Sequence, residues 1–103
     1  MQSTEQKIER AALAGLAAAS MDERERSTDI SLAELAALVE TAGGQPIVTL
    51  LQNKPTPDPR TFLGEGKVAE LHELITANDC DLAVFDNELS PSQMRVLEEE
   101  LGV

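Results

Sequence analysis

The sequence predicts a small α/β domain built on a parallel sheet of about three strands flanked by three helices. Three observations carry this expectation. Two short, nearly continuous apolar runs, Pro46 to Leu51 and Leu82 to Phe85, have the length and β-branched character of strands covered on both faces. Helical periodicity stands before, between and after them. The intervening segments are long enough for the right-handed crossovers that parallel strands demand.

The first element is ambiguous. Ala11 to Ala17 is alanine-rich, and intrinsic propensity favours a helix there. Two strands alone make a poor sheet, so a leading strand over residues 11–17 is expected on architectural grounds. Residues 1–10 read as a flexible N-terminus and Ala18 to Asp29 as a mobile, charged loop.

The first helix has a strong start signal. Ser31 can cap it while Glu34 reaches back, and Ile30 can pack onto Leu35. Leu32, Leu35, Leu38, Val39 and Ala42 then share one face, and Gly43-Gly44 provides a left-handed stop. Val68, Leu71, Leu74 and Ile75 recur with helical spacing from about Gly66 to Ala77, before a break at Asn78-Asp79. The third helix opens with a second capping box, Ser90 and Gln93, and Pro91 sits at the first helical position where its missing N–H costs nothing. Leu89 can staple onto Met94; Met94, Leu97 and Leu101 form the buried stripe, and Gly102 ends the helix.

Composition limits function. The chain has 103 residues, enough for one core, and two phenylalanines with no Trp or Tyr leave no aromatic platform for stacking unpaired bases. Cys80 is the only cysteine, so no internal disulfide or cysteine-based metal cluster can form, which fits the reducing cytoplasm. No apolar run reaches the roughly 20 residues that span a bilayer, and the acidic and basic N-terminus is not a secretory signal. The net charge of −11 is uneven: residues 1–52 carry −4, residues 68–103 carry −8, and residues 53–67 alone are positive, at +1.

That positive stretch is the main candidate site. In parallel α/β sheets ligands gather at the carboxyl ends of strands, which points to residues 18–30, 52–66 and 86–90. Asn53 to Lys67 holds three of the five prolines, three of the eight bases, and two glycines just before a helix. Helix-start amides opened by Gly64 and Gly66, with Lys54, Arg60 and Lys67 around them, suit an anion such as a phosphate. The alternative is a proline-stiffened connection whose glycines serve turn geometry and whose bases are simply solvated. The glycine spacing of a phosphate-binding loop is absent, and Val68 stands where Ser or Thr would follow the lysine.

Other residues carry weaker chemistry. Asp86, Glu88 and Asp81 more often orient a loop before a helix start than hold a metal. His72 lacks a sequence-local partner, Cys80 lacks a flanking base, and Glu98 to Glu100 read as a solvated face. No catalytic or metal-binding residue is expected.

Two ordered segments resemble one family. They are Asp58 to Val68 with Glu70-Leu71, and Phe85 to Gln93 with Leu97-Glu98. Together they resemble the N-terminal domain of HflX-type GTPases, over about residues 10–103, the first 30 residues only in outline. The resemblance implies support for the strand at residues 11–17. It further implies another strand after Val103, then a helical hairpin and a GTPase domain that would use GTP and Mg²⁺. The domain over residues 11–103 is then an incomplete, accessory part of a longer protein, contributing to contact with the large ribosomal subunit and to GTPase regulation in ribosome rescue or splitting. Partners implied are the large subunit with its rRNA, the protein's own GTPase domain and, in some relatives, a purine nucleotide held by the loop matching Arg60 to Lys67. A purely structural fragment is the remaining alternative.

Overall fold

The structure, a computed structural model, describes residues 8–103. Its elements are β1 (Arg10–Ala18), a short 3-10 turn (Glu23–Glu25), α1 (Asp29–Thr41), β2 (Gln45–Lys54), α2 (Glu65–Ala77), β3 (Leu82–Phe85) and α3 (Pro91–Leu101). The expected flexible stretch falls mainly on residues 1–7, outside the described residues, and β1 already begins at Arg10.

The three strands form one parallel sheet in the order β2-β1-β3. The alanine-rich segment is thus the central strand. Its even-numbered side chains, Ala12, Ala14, Leu16 and Ala18, join the core beneath α2 and α3, while Ala11 and Leu13 meet Leu32 of α1 on the other face. Burial on both faces requires apolar residues at both parities, and this overrides alanine's helical preference. α1 and α2 lie on opposite faces, as two right-handed crossovers running in opposite directions across the sheet require.

That order corrects one expectation. β2 was predicted to be buried on both faces; as an edge strand it buries only Leu50 fully, and Gln45, Thr49 and Asn53 are exposed. Its pairing shifts between Ala11 and Ala12, which face Pro46 and Val48 and leave Ile47 as the extra residue of a bulge. Pro46 is tolerated because it sits at the start of an edge strand. β3 pairs with β1 alone among the described residues, and the strand expected after Val103 lies outside them.

One helix start differs from its sequence signal. α1 begins earlier than predicted: Thr28 is the cap, its hydroxyl accepting from the Ser31 amide at 2.9 Å, and Ser31 returns the bond to the Thr28 amide at 2.8 Å. Ile30 and Leu38, predicted on the buried side, are 73 % and 66 % exposed because α1 turns only Leu32, Leu35, Ala36 and Val39 toward the sheet. α3 keeps its predicted Ser90–Gln93 box, Pro91 start and left-handed Gly102 stop, with Leu97 and Leu101 buried but Met94 half exposed.

The segment expected to be a mobile loop is tied down instead. Ser27 is buried and donates from its amide to Leu16 at 3.0 Å, and Asp22 caps the short turn through Arg24. Ala19 and Ser20 donate to the carbonyls of Lys54 and Pro55, both at 2.9 Å, so the chain leaving β1 is bonded to the chain leaving β2.

Candidate site at the carboxyl ends of the strands

The positive segment is a folded hairpin. Asp58 and Phe62 exchange backbone bonds at 2.9 and 2.8 Å, and the Asp58 carboxylate accepts from the amides of Arg60 at 2.8 Å and Thr61 at 3.0 Å. The Thr61 amide, followed by that of Arg60, holds the Asp58 carboxyl below its usual range. Phe62 adopts a left-handed conformation, φ 67°, uncommon for a large side chain. Burial of Thr61, Phe62 and Leu63 in the core holds that conformation in place, and the Thr61 hydroxyl donates to Leu63 O at 2.7 Å.

The hairpin delivers the chain to the start of α2. Gly64 is the cap residue but offers no side chain, and its own N–H is taken by Gln52 Oε1 at 2.9 Å. Neither candidate glycine is dictated by turn geometry: Gly64 has φ −64°, and a Cβ on Gly66 would meet nothing within 4 Å. A Cβ on Gly64 would lie 3.5 Å from Lys54 Nζ, which places that ammonium beside the helix start.

The three predicted cations have different company. Arg60 Nη2 reaches across to Glu100 of α3 at 3.1 Å, and Lys67 pairs with Glu70 one turn along α2, also at 3.1 Å. Lys54 forms no ion pair among the described residues. Arg60 and Glu100 border a groove of about 440 Å³ between the hairpin, α2 and α3, which Thr61, Glu65, Val68 and His72 also line. Its walls therefore carry both signs of charge. His72 Nδ1 is 3.2 Å from the Leu101 carbonyl, which can only accept, so the histidine closes the end of α3.

Sequence reasoning missed a polar network at the ends of β1 and β3. Asn87 bonds to both backbone groups of Leu16, to Ser27 Oγ and to Glu25 O, and Asp86 Oδ2 accepts from Ser31 Oγ at 2.7 Å. Asp86 is thus a strut for α1, and no group of three or more metal-ligating side chains occurs among the described residues. Arg26 was missed as well: it lines one groove with Lys54. Cys80 is buried, and desolvation pushes its thiol up, the inert arrangement its sequence context suggested. No helix among the described residues is long and apolar enough to cross a membrane.

Residues 29–103 match the family described as GTP-binding GTPase N-terminal. Among curated proteins, the chain is similar to GTPase HflX of Alkalihalophilus pseudofirmus, 42 % identical over 73 residues, covering 71 % of this chain and 17 % of that protein. GTPase HflX of Escherichia coli strain K12 is 37 % identical over 67 residues, 65 % of this chain and 16 % of the relative. GTPase HflX of Caldanaerobacter subterraneus subsp. tengcongensis is 34 % identical over 95 residues, 92 % of this chain and 21 % of the relative. The chain therefore spans 16–21 % of the length of these three relatives. With its three-stranded parallel sheet, its three helices and a match running from α1 to its last residue, the chain belongs to the GTP-binding GTPase N-terminal family, as an N-terminal domain of the HflX type.

Proposed function

We infer that this domain is a ribosome-binding and regulatory module, which docks on the large ribosomal subunit with Lys54, Arg60 and Lys67 against rRNA phosphate. Gly64 and Gly66 let the phosphate backbone come close to the start of α2. The module serves a cytoplasmic GTPase that acts in ribosome rescue or splitting. Hydrolysis, with GTP and Mg²⁺, belongs to a separate GTPase domain, against which this module packs.

The observation that carries this reading is the charge of residues 53–67, the one positive segment of a chain with net charge −11. It sits beside a helix start whose dipole favours anions. The pairs Arg60–Glu100 and Lys67–Glu70 lie at the surface, where an ion pair is worth at most about 1 kcal/mol, so a phosphate can replace the carboxylates. The test is R60E/K67E in the full-length GTPase, measured for binding to purified large subunits across a salt series. Loss of two phosphate contacts lowers the slope of log affinity against log salt by roughly 1.4–1.8. Unchanged affinity and slope reject the reading.

A second reading has its own observation. The groove beside Arg60, about 440 Å³, falls in the roughly 300–1,000 Å³ range of small-molecule sites, which favours a purine nucleotide held by the Arg60–Lys67 loop. Glu65 and Glu100 in its walls oppose a triphosphate. Titrating ATP or GTP while following the amides of residues 63–68 decides it, and absence of shifts at millimolar nucleotide ends it.

A further inference from the structure

The groove at the carboxyl ends of β1 and β2 is separate from the one beside Arg60. It measures about 450 Å³ and is lined by Ala17, Ala19, Arg26, Asn53, Lys54 and Pro55. Its two sides are fastened together by the Ala19–Lys54 and Ser20–Pro55 backbone bonds, so its shape does not depend on side-chain packing alone.

Arg26 is fixed before any partner arrives. Its Nε donates to Met21 O at 3.1 Å and its Nη2 to Ala19 O at 2.9 Å, both neutral carbonyls. A guanidinium has five N–H donors, so most of the fork remains uncommitted, and no carboxylate lies within ion-pair distance of it among the described residues. Acids outnumber bases 19 to 8 in this chain. Arg24, Arg60 and Lys67 each have a carboxylate within ion-pair distance, whereas Arg26 and Lys54, in one groove, have none that close among the described residues, Asp58 acting on Lys54 only from farther off.

We propose that Arg26 and Lys54 together seat one phosphate of an RNA backbone in this groove. The inference rests on the reading of the domain as an rRNA-binding module, and adds to it a contact from the 19–28 loop. A planar, oriented arginine fork matches a phosphate's oxygens, and the lysine supplies a second, mobile charge. The groove is open to the surface, which suits a polymer backbone running across it rather than an enclosed small molecule. Lys54 also stands beside Gly64, so this seat is contiguous with the start of α2.

The experiment measures binding of the full-length GTPase to purified large ribosomal subunits over a salt series for R26Q, K54Q and R26Q/K54Q, with R24Q as the same-loop control. Both single variants weaken binding, R24Q does not, and the double variant lowers the salt slope by about 0.7–0.9, the share of one phosphate rather than two. R26K, which keeps the charge, recovers part of the loss, whereas a merely structural role for the two carbonyl bonds would show equally in R26K and R26Q melting temperatures. R26Q binding at wild-type strength while R60E/K67E fails to bind overturns this inference and leaves the parent reading standing. R26Q and R60E/K67E both binding as wild type overturns the two together.

Discussion

Asn87 holds the backbone of Leu16 at both of its polar groups: Oδ1 accepts from the Leu16 N–H at 2.8 Å and Nδ2 donates to the Leu16 carbonyl at 3.0 Å. β3 stops at Phe85, paired with Ala14, and the Asp86 amide still reaches Ala14 O at 2.9 Å. The Asn87 carboxamide then acts as one more rung of the ladder, with a side chain standing in for a peptide group. It also accepts from Ser27 Oγ and donates to Glu25 O, both at 3.0 Å, so the ends of two strands and the 19–28 loop meet at one residue.

Asn87→Asp tests that role with almost no change of shape. The substitution turns the Nδ2 donor into an acceptor, so a carboxylate oxygen faces the Leu16 and Glu25 carbonyl oxygens and both bonds are lost, with Leu16 O keeping only the one from the Ser27 amide. A loss of about 1–3 kcal/mol in urea unfolding is expected. Hydrogen exchange at the Leu16 and Ser27 amides should accelerate before that of the α2 core. Wild-type stability in this variant would show that the rung contributes nothing.

Gly15→Ala tests the same corner from the strand side. A Cβ there would lie 2.4 Å from Ser27 Oγ and 2.6 Å from Ser27 Cβ, a contact that forces either β1 or the loop to move. Overpacking of this kind costs about 1–3 kcal/mol. Adding Ser27→Gly removes the clashing atoms, so the double variant should be more stable than the sum of the two single effects. Strict additivity in denaturant unfolding would mean the two residues do not meet.

The helices were legible in the sequence because their signals are local. Ser90, Pro91, Gln93 and Gly102 mark both ends of α3 where the structure has them. β1 was legible from the need for a third strand and from the resemblance, not from its own residues, since the cause of its extended form is non-local: β2 and β3 on either side and helices on both faces. For the same reason its central place, and the edge position of β2, could not be read from composition. The start of α1 was misjudged because Thr28 and Ser31 form a box that Ser31 and Glu34 imitate. Within the candidate site the bases were visible as a charge excess, but the partners of Arg60 and Lys67 and the Asn87 network depend on which chain segments meet. Arg26 was hidden by acidic neighbours in sequence, Glu23 and Glu25, that do not pair with it among the described residues.

Gly66→Ala separates stability from partner contact. Gly66 occupies the first turn of α2, open space surrounds the position a Cβ would take, and no left-handed angle requires glycine. Alanine should therefore stabilise the domain by about 0.5–1 kcal/mol through helix propensity. If a phosphate backbone approaches the start of α2, the same methyl group weakens binding to large subunits. A variant that gains stability and keeps full affinity would remove Gly66 from the proposed contact.

Cys80 should resist thiol reagents in the native protein. The side chain is buried, and desolvation raises the thiol above its ordinary range, so little thiolate is present near neutral pH. Alkylation should be slow at pH 8 and become fast in urea, with the native rate tracking the opening equilibrium. Rapid native labelling would mean that the edge where α2 gives way to β3 is open.

Acid should loosen the hairpin of residues 58–62 through one carboxyl. Asp58 is held below its usual range first by the Thr61 amide and then by the Arg60 amide, so the folded chain binds a proton there less readily than the unfolded chain. The stabilisation is therefore present above the unfolded value and is lost as pH falls through the lower, folded one. The amide resonances of Arg60 and Thr61 should stay constant from neutral pH down through the ordinary carboxylate range and move together only below it. Asp58→Asn keeps an acceptor oxygen without the charge, so its Arg60 and Thr61 amides should not titrate at all. If the wild-type amides instead shift at the ordinary carboxylate value, the two side-chain bonds do not favour the charged form, and the hairpin presenting Arg60 is held by its Asp58–Phe62 backbone bonds and the burial of Thr61, Phe62 and Leu63.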